Sequence, residues 1–511
     1  MPDQTTVNGA DLPPGLAEVR ATMDAAEAWG ARPDALDQAL SGLDTSDTSN
    51  AKRFLRRFGR NFVFLAPRGD WHWWSGKAWE PDPLALKVRA GLAESAEAIF
   101  GEVHHLENPK VKKSRVHWAT KSKDQHRIKS AMLMAEVFRN EPANDYDQKP
   151  LLFNADNGTV ELDTGLLRPH RQEDRLTLLS PTPLQKEGTP KAWLAFLEDI
   201  FGARWDEERD PNDDPLEGIQ RLLGYTLSGL TTEQIMVCLH GGGSNGKSVL
   251  LEVVTHILGT YAATLRAEAL MSRDRPASHQ SDLVRLRGKR FVTTVESEDG
   301  HSFNESLVKQ LTGGDTVSAR EIFKATEEFK PEFTLWLGSN HLPHIRGGDY
   351  GIWRRIILIP MLQRFVDAEE AGPGDKIKDP HLKARLLAEA PLILGWMVHG
   401  FKMYRRDGLK VPRRWREAAE DYKTREDRFG AWFAERCTRD PAARTAVPTL
   451  KTDFDEWAKG EGDEPMTPQA FGRALSDRGF RRLKTNGLTL AIGVRLTEGL
   501  QPRQERADLW G

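Results

Sequence analysis

The segment QIMVCLHGGGSNGKSVLLEVVTHILG, residues 234–259, contains a glycine-rich motif between two elements of different periodicity. Apolar, β-prone residues fill 235–239. After the glycines, apolar residues recur at the spacing of one buried helix face. The pattern G-x-x-x-x-G-K-[ST] is satisfied by Gly241, Gly246, Lys247 and Ser248. Strand, glycine loop and helix form the context in which this motif binds nucleotide phosphates.

The chemistry of this loop predicts ATP and Mg²⁺ as cofactors. Glycines let backbone N–H groups turn toward phosphate oxygens, and the helix N-terminus adds partial positive charge. Lys247 is expected to neutralise the β- and γ-phosphates, and Ser248 to offer its hydroxyl to Mg²⁺. The residues expected to contact the nucleotide are Gly241, Gly242, Gly243, Ser244, Asn245, Gly246, Lys247 and Ser248.

Two further strands predict the rest of a nucleotide-hydrolysing site. The strand FVTTV, residues 291–295, runs into Glu296, Ser297, Glu298 and Asp299. Carboxylates after a strand beside a phosphate loop hold the metal and polarise the attacking water. We assign the metal to Glu296 and the catalytic base to Glu298. A third strand ends in Ser339-Asn340, and the amide of Asn340 can hold the water near the γ-phosphate, although asparagine is also common in turns.

The pair Arg354-Arg355 precedes the apolar strand IILIP. Arginine is always charged and forks onto phosphate oxygens, so either residue could reach a nucleotide in a neighbouring subunit. A structural ion pair at the start of a strand is the alternative. Between the acidic strand and the Asn340 strand, residues 317–333 predict a hairpin with Lys324 near its tip. Together with Lys309 and Arg320, Lys324 is a candidate contact for a DNA backbone, the alternative being a plain surface hairpin.

Composition sets the domain organisation and limits the choice of partner. A chain of 511 residues exceeds one hydrophobic core and predicts about three or four domains. The net charge of −3 confines any nucleic-acid contact to local patches. The longest apolar run, residues 391–398, is too short for a membrane span. Two cysteines, Cys238 and Cys437, lie in apolar patterns and are expected in cores.

The fold class expected is α/β, with boundaries drawn from these patterns. Residues 1–13 are expected to be disordered, 14–205 to form an α+β domain, 206–362 the nucleotide-binding core and 363–438 a helical segment. The segment DPAARTAVPT, residues 440–449, is interpreted as a linker. Residues 447–500 then predict helix, helix and hairpin, the order of a winged helix. Its basic residues favour DNA contact, with a solvated basic face as the alternative; they are Arg473, Arg478, Arg481, Arg482 and Lys484.

Six motifs in order resemble the superfamily III helicases of phages and plasmids. They are GGGSNGKS, VESEDG, VKQLTGGDTVSAR, FKPEF, LGSNHLP and IWRRIILIP. The most similar type is the helicase half of the phage and plasmid primase–helicases, which is related to the poxvirus primase–helicase. One departure is that Ser297 separates Glu296 from Glu298, where many members carry adjacent acids, so the assignment of the base is open.

The resemblance implies an AAA-like core, a homo-hexameric ring and ATP bound between subunits, with Arg354 or Arg355 reaching across. It also implies a channel lined by the Lys324 hairpin and unwinding of forked DNA from a single-stranded tail. Such proteins serve phage or plasmid replication in the bacterial cytoplasm, alongside a separate primase or polymerase. Primase activity in this chain is not expected. Its upstream Asp-x-Asp, Asp145-Tyr146-Asp147, lies in a polar loop between prolines.

Two other functions use the same loop. An ATP-switched initiator would bind origin duplex DNA without processive unwinding. A small-molecule kinase would use Arg354 and Arg355 as lid residues, but it leaves the hairpin and the basic C-terminal segment unexplained. The response of the ATPase rate to single-stranded DNA, followed by unwinding of a forked duplex, separates the helicase from the initiator.

Overall fold

The computed structural model describes residues 33–66, 68–201, 213–271, 280–295, 302–320, 326–345, 350–373, 376–461, 465–485 and 488–497. The expected disordered tail, residues 1–13, and the acids Glu296 and Glu298 lie outside this part of the chain, as does Lys324. Across the residues that are described, every helix is too short or too polar to cross a lipid bilayer.

The first described region combines helices with a small mixed sheet. Strands β1 (Phe62–Ala66), β2 (Asp70–Trp74), β3 (Trp79–Pro81) and β4 (Asn140–Pro142) are arranged in the order β3-β2-β1-β4. Trp71, Trp73 and Trp79 are buried within it. The helices around this sheet are α1 (Pro33–Ser41), α2 (Asp47–Phe58), α3 (Leu86–Glu97), α4 (Ile99–Glu102), α5 (Pro109–Ser122) and α6 (Gln125–Phe138).

A three-stranded antiparallel sheet and two helices lead into the central parallel sheet. The sheet consists of β5 (Leu152–Ala155), β6 (Gly158–Glu161) and β7 (Leu166–Arg168), and the β5–β6 turn contains Asn157-Gly158, a hairpin signal. Helices α7 (Lys191–Phe201) and α8 (Pro215–Leu227) follow. Buried apolar residues of both helices join the same hydrophobic core as the central sheet.

The central sheet is parallel, and its strands are hydrophobic because helices cover both faces. Its order is β14-β8-β13-β10-β9, with every neighbouring pair parallel. The strands are β8 (Met236–His240), β9 (Ala262–Thr264), β10 (Phe291–Val295), β13 (Thr334–Ser339) and β14 (Ile356–Pro360). Helices α9 (Lys247–Leu258), α10 (Gln280–Val284), α11 (Glu305–Gly313) and α12 (Tyr350–Trp353) connect them.

The predicted hairpin is present as β11 (Val317–Arg320) and β12 (Thr326–Phe329), with Arg320 opposite Thr326 in the antiparallel register. A short parallel pair, β15 (Phe365–Val366) and β16 (Lys376–Ile377), follows the central sheet. The next segment is helical, consisting of α13 (Leu382–Ala388), α14 (Ala390–Asp407) and α15 (Arg413–Glu426).

The C-terminal region has its own hydrophobic core, around Trp432, Phe454 and Phe471. Its elements run α16 (Arg428–Arg436), β17 (Cys437–Ala446), α17 (Val447–Gly460), α18 (Pro468–Asp477), β18 (Arg481–Thr485) and β19 (Leu488–Leu496). The sheet order is β17-β19-β18, antiparallel throughout. The helix, helix, hairpin order predicted for this segment is therefore present, preceded by one more helix and strand.

The predicted linker at residues 440–449 is wrong, because most of it belongs to β17, which pairs with β19. Pro441 lies where the ladder register shifts, between Arg439 and Arg444. Proline lacks the N–H needed for a ladder hydrogen bond, and an irregular point in a strand tolerates it. Both cysteines are free and buried, as expected from their apolar surroundings.

Candidate nucleotide site

The loop between β8 and α9 is shaped by backbone conformations that favour glycine. Gly246 has φ +87° and ends the loop immediately before Lys247 begins the helix. A Cβ on Gly241 would lie 2.2 Å from the Met361 carbonyl oxygen, so the end of β14 leaves no room for a side chain. By contrast, a Cβ on Gly242 or Gly243 would meet no atom within 4 Å.

These features fit a triphosphate. The middle of the loop faces open space, and the exposed Ser248 lies in the first turn of a helix whose N-terminus attracts anions. Backbone bonds fix the loop from outside: the Phe365 N–H donates to the Ser244 carbonyl at 2.7 Å, and the Gly241 N–H to the Ser339 carbonyl at 3.4 Å. The cradle is therefore built by neighbouring strands as well as by its own glycines.

Lys247 is the charged centre of this loop. Its ammonium donates to the Gly241 carbonyl at 2.6 Å, the Gly242 carbonyl at 3.2 Å and the Asn245 Oδ1 at 3.1 Å. It also donates to Asn340 Oδ1 at 2.9 Å, from a strand 93 residues away. The side chain is thus held at the mouth of the loop by neutral oxygens, which phosphate oxygens can replace.

Asn245 and His240 complete the surroundings of the ammonium. Asn245 is buried, and its Nδ2 donates to the Met361 carbonyl at 3.2 Å, which braces the loop against the end of β14. Burial lowers the pKa of His240, and Lys247 lowers it further, so this imidazole is neutral at pH 7. Lys247 is therefore the charged group that is in direct contact with the loop oxygens.

The parallel register brings the ends of three strands to one edge. Gly338 of β13 pairs with Leu239 of β8 on one side and with Val295 of β10 on the other. The strand that precedes Glu296 and Glu298 thus ends beside the loop, although both carboxylates lie outside the described residues. Asn340, exposed at the end of β13, is the predicted polar residue that the structure brings into contact with Lys247.

Arg354 and Arg355 directly precede β14, so they lie at the end of the parallel strands opposite to the glycine loop. Ile356, which follows Arg355, pairs with Met236 at the start of β8, whereas the loop follows the end of β8, roughly 13 Å further along the strand. Neither arginine is therefore placed to act on the phosphate loop of its own chain.

The two arginines also differ in their environments. Arg355 is buried, and its guanidinium donates to Thr312 Oγ1 at 3.2 Å and to Gln234 Oε1 at 3.2 Å, as well as to the Gly351 carbonyl. Arg354 is exposed and donates to Gln234 Oε1. The alternative reading of the pair, a structural group at a strand start, thus fits Arg355, while Arg354 faces solvent.

The remaining basic candidates have separate environments. Lys309 is half-buried on α11, 4.0 Å from Glu305 one turn earlier. Arg320 is exposed at the end of β11. In the C-terminal region Arg473, Arg481 and Arg482 are exposed on α18 and β18.

Arg478 does not belong to the exposed basic face with which the sequence grouped it. Its guanidinium pairs with the Asp427 carboxylate and lies 4.7 Å from the centre of the Phe429 ring. The acids considered for a primase site likewise have separate partners. Asp145 accepts from Arg175 at 2.9 Å, and Asp147 from the Thr177 N–H at 2.8 Å.

Sequence reasoning missed two residues that hold the segment following Asn340. Tyr422 donates to the Pro343 carbonyl, and Glu426 Oε2 accepts from the Ile345 N–H at 3.1 Å. Both side chains come from α15, about 80 residues further along the chain, and no local motif marks them.

Two family models match the chain. Residues 51–202 match the family described as "D5 N terminal like", and residues 239–355 match a family of unknown function, DUF5906. The second match spans the phosphate loop, the Asn340 strand and the arginine pair.

Several viral proteins are relatives of this chain. The chain is 28% identical over 330 residues to "Putative helicase L207/L206" of Acanthamoeba polyphaga mimivirus, across 61% of this chain and 33% of that protein. It is 25% identical over 408 residues to "Putative helicase 022R" of Frog virus 3, across 67% and 42%. It is 24% identical over 438 residues to "Putative primase C962R" of African swine fever virus, across 78% and 44%.

Among solved structures, the apo structure of the NrS-1 C terminal region (305-718) aligns with a TM-score of 0.37 and 14% identity, over 62% of this chain and 78% of that one. That score is too low to show a shared fold.

The named relatives are putative helicases and a putative primase of viruses, and this is the class to which the chain is similar. The two family models and the viral relatives support the phage and viral primase–helicase family that the motifs of this chain resemble. The matched part of the chain spans 33% to 44% of the length of these relatives.

Proposed function

We propose that the chain is an ATP-driven DNA helicase that acts in phage or plasmid replication as a ring of identical subunits, moving along single-stranded DNA. The observation that carries this proposal is the contact between Lys247 and Asn340 at the shared edge of a parallel sheet. It joins a phosphate-binding loop to the polar end of a neighbouring strand, which is the geometry needed to sense a γ-phosphate.

In this proposal the loop residues hold the triphosphate of ATP. Backbone N–H groups of residues 241–248 and the N-terminus of α9 bind the phosphates, and Lys247 neutralises their charge. Ser248 and Glu296 would hold Mg²⁺, which would draw charge off the phosphates when bound. Asn340 orients the attacking water, and Glu298 takes its proton.

The arginine pair completes the site from the next subunit. Its place at the edge of the sheet away from the loop of its own chain supports action in trans. We assign this role to Arg354, because it is exposed, and a structural role to Arg355, because its guanidinium is already bonded within the chain. Positive charge on the transferred phosphoryl group stabilises the transition state.

DNA contacts are assigned to two places. Lys309, Arg320 and Lys324 belong to the segment around the β11–β12 hairpin, which would line the ring channel. The C-terminal region is proposed to be a winged-helix domain in which α18 and the β18–β19 hairpin contact DNA through Arg473, Arg481 and Arg482. A separate primase or polymerase in the host cytoplasm would be the partner.

The test measures ATP hydrolysis with and without single-stranded DNA, and then strand separation of a forked duplex. We expect stimulation by single strands and unwinding, both lost in Lys247→Ala. The matched control is Lys383→Ala, an exposed lysine that pairs with Glu252 of α9. ATP hydrolysis that is indifferent to single strands, with tight binding to an origin duplex, would support the ATP-switched initiator instead.

A further inference from the structure

Helix α15 holds the segment that directly follows Asn340. The buried Tyr422 donates its hydroxyl to the Pro343 carbonyl. One turn later, the Glu426 carboxylate accepts from the Ile345 N–H at 3.1 Å and lies 3.2 Å from His344 Nδ1. One helix therefore bonds three consecutive residues of this segment, which begin three residues after Asn340.

The same helix supports the arginine pair. The Tyr422 ring meets the Trp353 ring edge to face, with centroids 5.0 Å apart, and Trp353 is the residue before Arg354. Helix α15 also packs on β14, the strand that follows the pair. A shift of α15 would thus move the polar end of β13 and the start of β14 together.

The C-terminal end of α15 is bonded to the basic C-terminal region. Asp427 follows Glu426 directly, and its Oδ1 caps α16 by accepting from the Gly430 N–H at 2.9 Å. Both carboxylate oxygens of Asp427 accept from Arg478. Arg478 is the C-cap residue of α18, the helix that carries the exposed Arg473. Two adjacent acids therefore connect the Asn340 segment to the helix proposed to contact DNA.

We propose that Glu426 is a positioning residue for Asn340, and that the Glu426-Asp427 junction couples DNA binding by the C-terminal region to ATP hydrolysis. This inference rests on the proposed function. Coupling requires contacts that both sites can bias, and here hydrogen bonds, one pair of packed rings and short stretches of backbone join them. DNA held by α18 would restrain Arg478 and Asp427, and through α15 the segment behind Asn340.

The experiment measures kcat and KM for ATP, with and without forked DNA, together with thermal unfolding. Glu426→Ala leaves the Ile345 N–H without its acceptor, so kcat should fall between about 2-fold and about 30-fold while KM changes little. Glu426→Gln keeps an acceptor and should restore part of the rate. The control is Glu420→Gln, which changes an exposed carboxylate on the same helix that pairs with Lys423 at 2.9 Å.

The second arm tests the coupling. Arg478→Ala should keep the kcat measured without DNA and lose most of the stimulation by DNA. Combining it with Glu426→Ala should reduce the stimulation no further than the more affected single variant does, because both substitutions interrupt one series of contacts.

Each outcome decides a separate point. Absence of DNA stimulation in the wild-type protein would contradict the proposed function. Stimulation of Arg478→Ala equal to that of the wild type would overturn the coupling. A wild-type kcat in Glu426→Ala would overturn the positioning role. If Glu426→Ala does not fold, the second variant is Glu426→Asp, whose shorter side chain withdraws the carboxylate from the Ile345 N–H, and a wild-type kcat in it would count against the role in the same way.

Discussion

The Lys247 ammonium lies 2.9 Å from the Asn340 amide oxygen, although 93 residues separate them in sequence. The contact forms because β8 and β13 are adjacent and parallel, so that both strands end at the same edge of the sheet. Lys247 thus contacts both the glycine loop and the end of the neighbouring strand. A γ-phosphate bound by Lys247 would therefore affect both of these contacts.

Replacement of Asn340 by alanine should slow hydrolysis more than it weakens ATP binding. The amide is expected to act on the attacking water, so its loss should lower kcat by roughly 100-fold, the usual cost of one polar group that stabilises a transition state. Steady-state ATPase kinetics checks this. Asn140→Ala, at an exposed asparagine that donates to the Val137 carbonyl, is the control. A kcat within twofold of the wild-type value would remove Asn340 from the mechanism.

Two glycines of the loop should respond differently to alanine. Gly241→Ala places a methyl group 2.2 Å from the Met361 carbonyl oxygen, so the loop and the end of β14 must separate. The melting temperature should fall and ATP binding should be lost. Gly242→Ala meets no atom within 4 Å and should keep the wild-type melting temperature. Equal melting temperatures for the two variants would show that the packing against β14 is unimportant.

The arginine pair should separate into a trans-acting residue and a structural one. Arg354→Ala should remove ATPase activity without a change in melting temperature, and mixing it with Lys247→Ala should restore part of the activity in mixed rings. Arg355→Ala removes a buried guanidinium and its hydrogen bonds to Thr312 and Gln234, so it should destabilise the fold by roughly 1–3 kcal/mol. Lack of recovery at every mixing ratio would contradict action in trans.

Stability should fall with rising pH because of Glu332. Burial raises the pKa of its carboxyl to about 7, although Arg290 opposes part of the shift. Between pH 4.5 and about 7, Glu332 is therefore protonated in the folded chain and ionised in the unfolded chain. The stability tied to that proton is complete below pH 4.5 and is lost as the pH rises through about 7.

Glu332→Gln mimics the protonated carboxyl and removes this dependence. It should stabilise the protein at pH 8 by at most roughly 3 kcal/mol and have much less effect at pH 5. Chemical denaturation at the two pH values measures the difference. Glu328→Gln, at an exposed carboxylate on β12, is the control and should show no such trend. If Glu332→Gln raises the free energy of unfolding equally at both pH values, the burial of a charged Glu332 is not the cause of the stabilisation.

The exposed arginines of the C-terminal region should set the salt dependence of DNA binding. Each alanine substitution at Arg473, Arg481 or Arg482 should reduce the slope of log K against log salt by about 1, if that residue contacts a phosphate. Fluorescence anisotropy across a salt series provides the measurement. Arg405→Ala, at an arginine paired with Asp163 at 2.9 Å, should leave the slope unchanged. An unchanged slope in the triple variant would move the DNA contact elsewhere.

Local patterns predicted much of this architecture. The β8–loop–α9 unit, the hairpin that contains Arg320 and the paired elements of the C-terminal region follow from periodicity, glycine positions and capping residues, which act over a few neighbours. The same reasoning predicted a linker at residues 440–449, because prolines in a polar segment usually indicate one. The segment forms a strand instead, because the distant strand β19 supplies its hydrogen-bonding partners.

The sequence by itself determined which residues form the candidate phosphate-binding loop, because the spacing from Gly241 to Ser248 specifies a loop whose chemistry is local. Only the tertiary structure decided which distant groups meet. It set Asn340 against Lys247, buried Arg355 while leaving Arg354 exposed, joined Arg478 to Asp427 and placed Glu426 behind the Asn340 segment. These contacts depend on strand order and on the packing of α15, which arise when the whole apolar core is buried and which no short stretch of residues encodes.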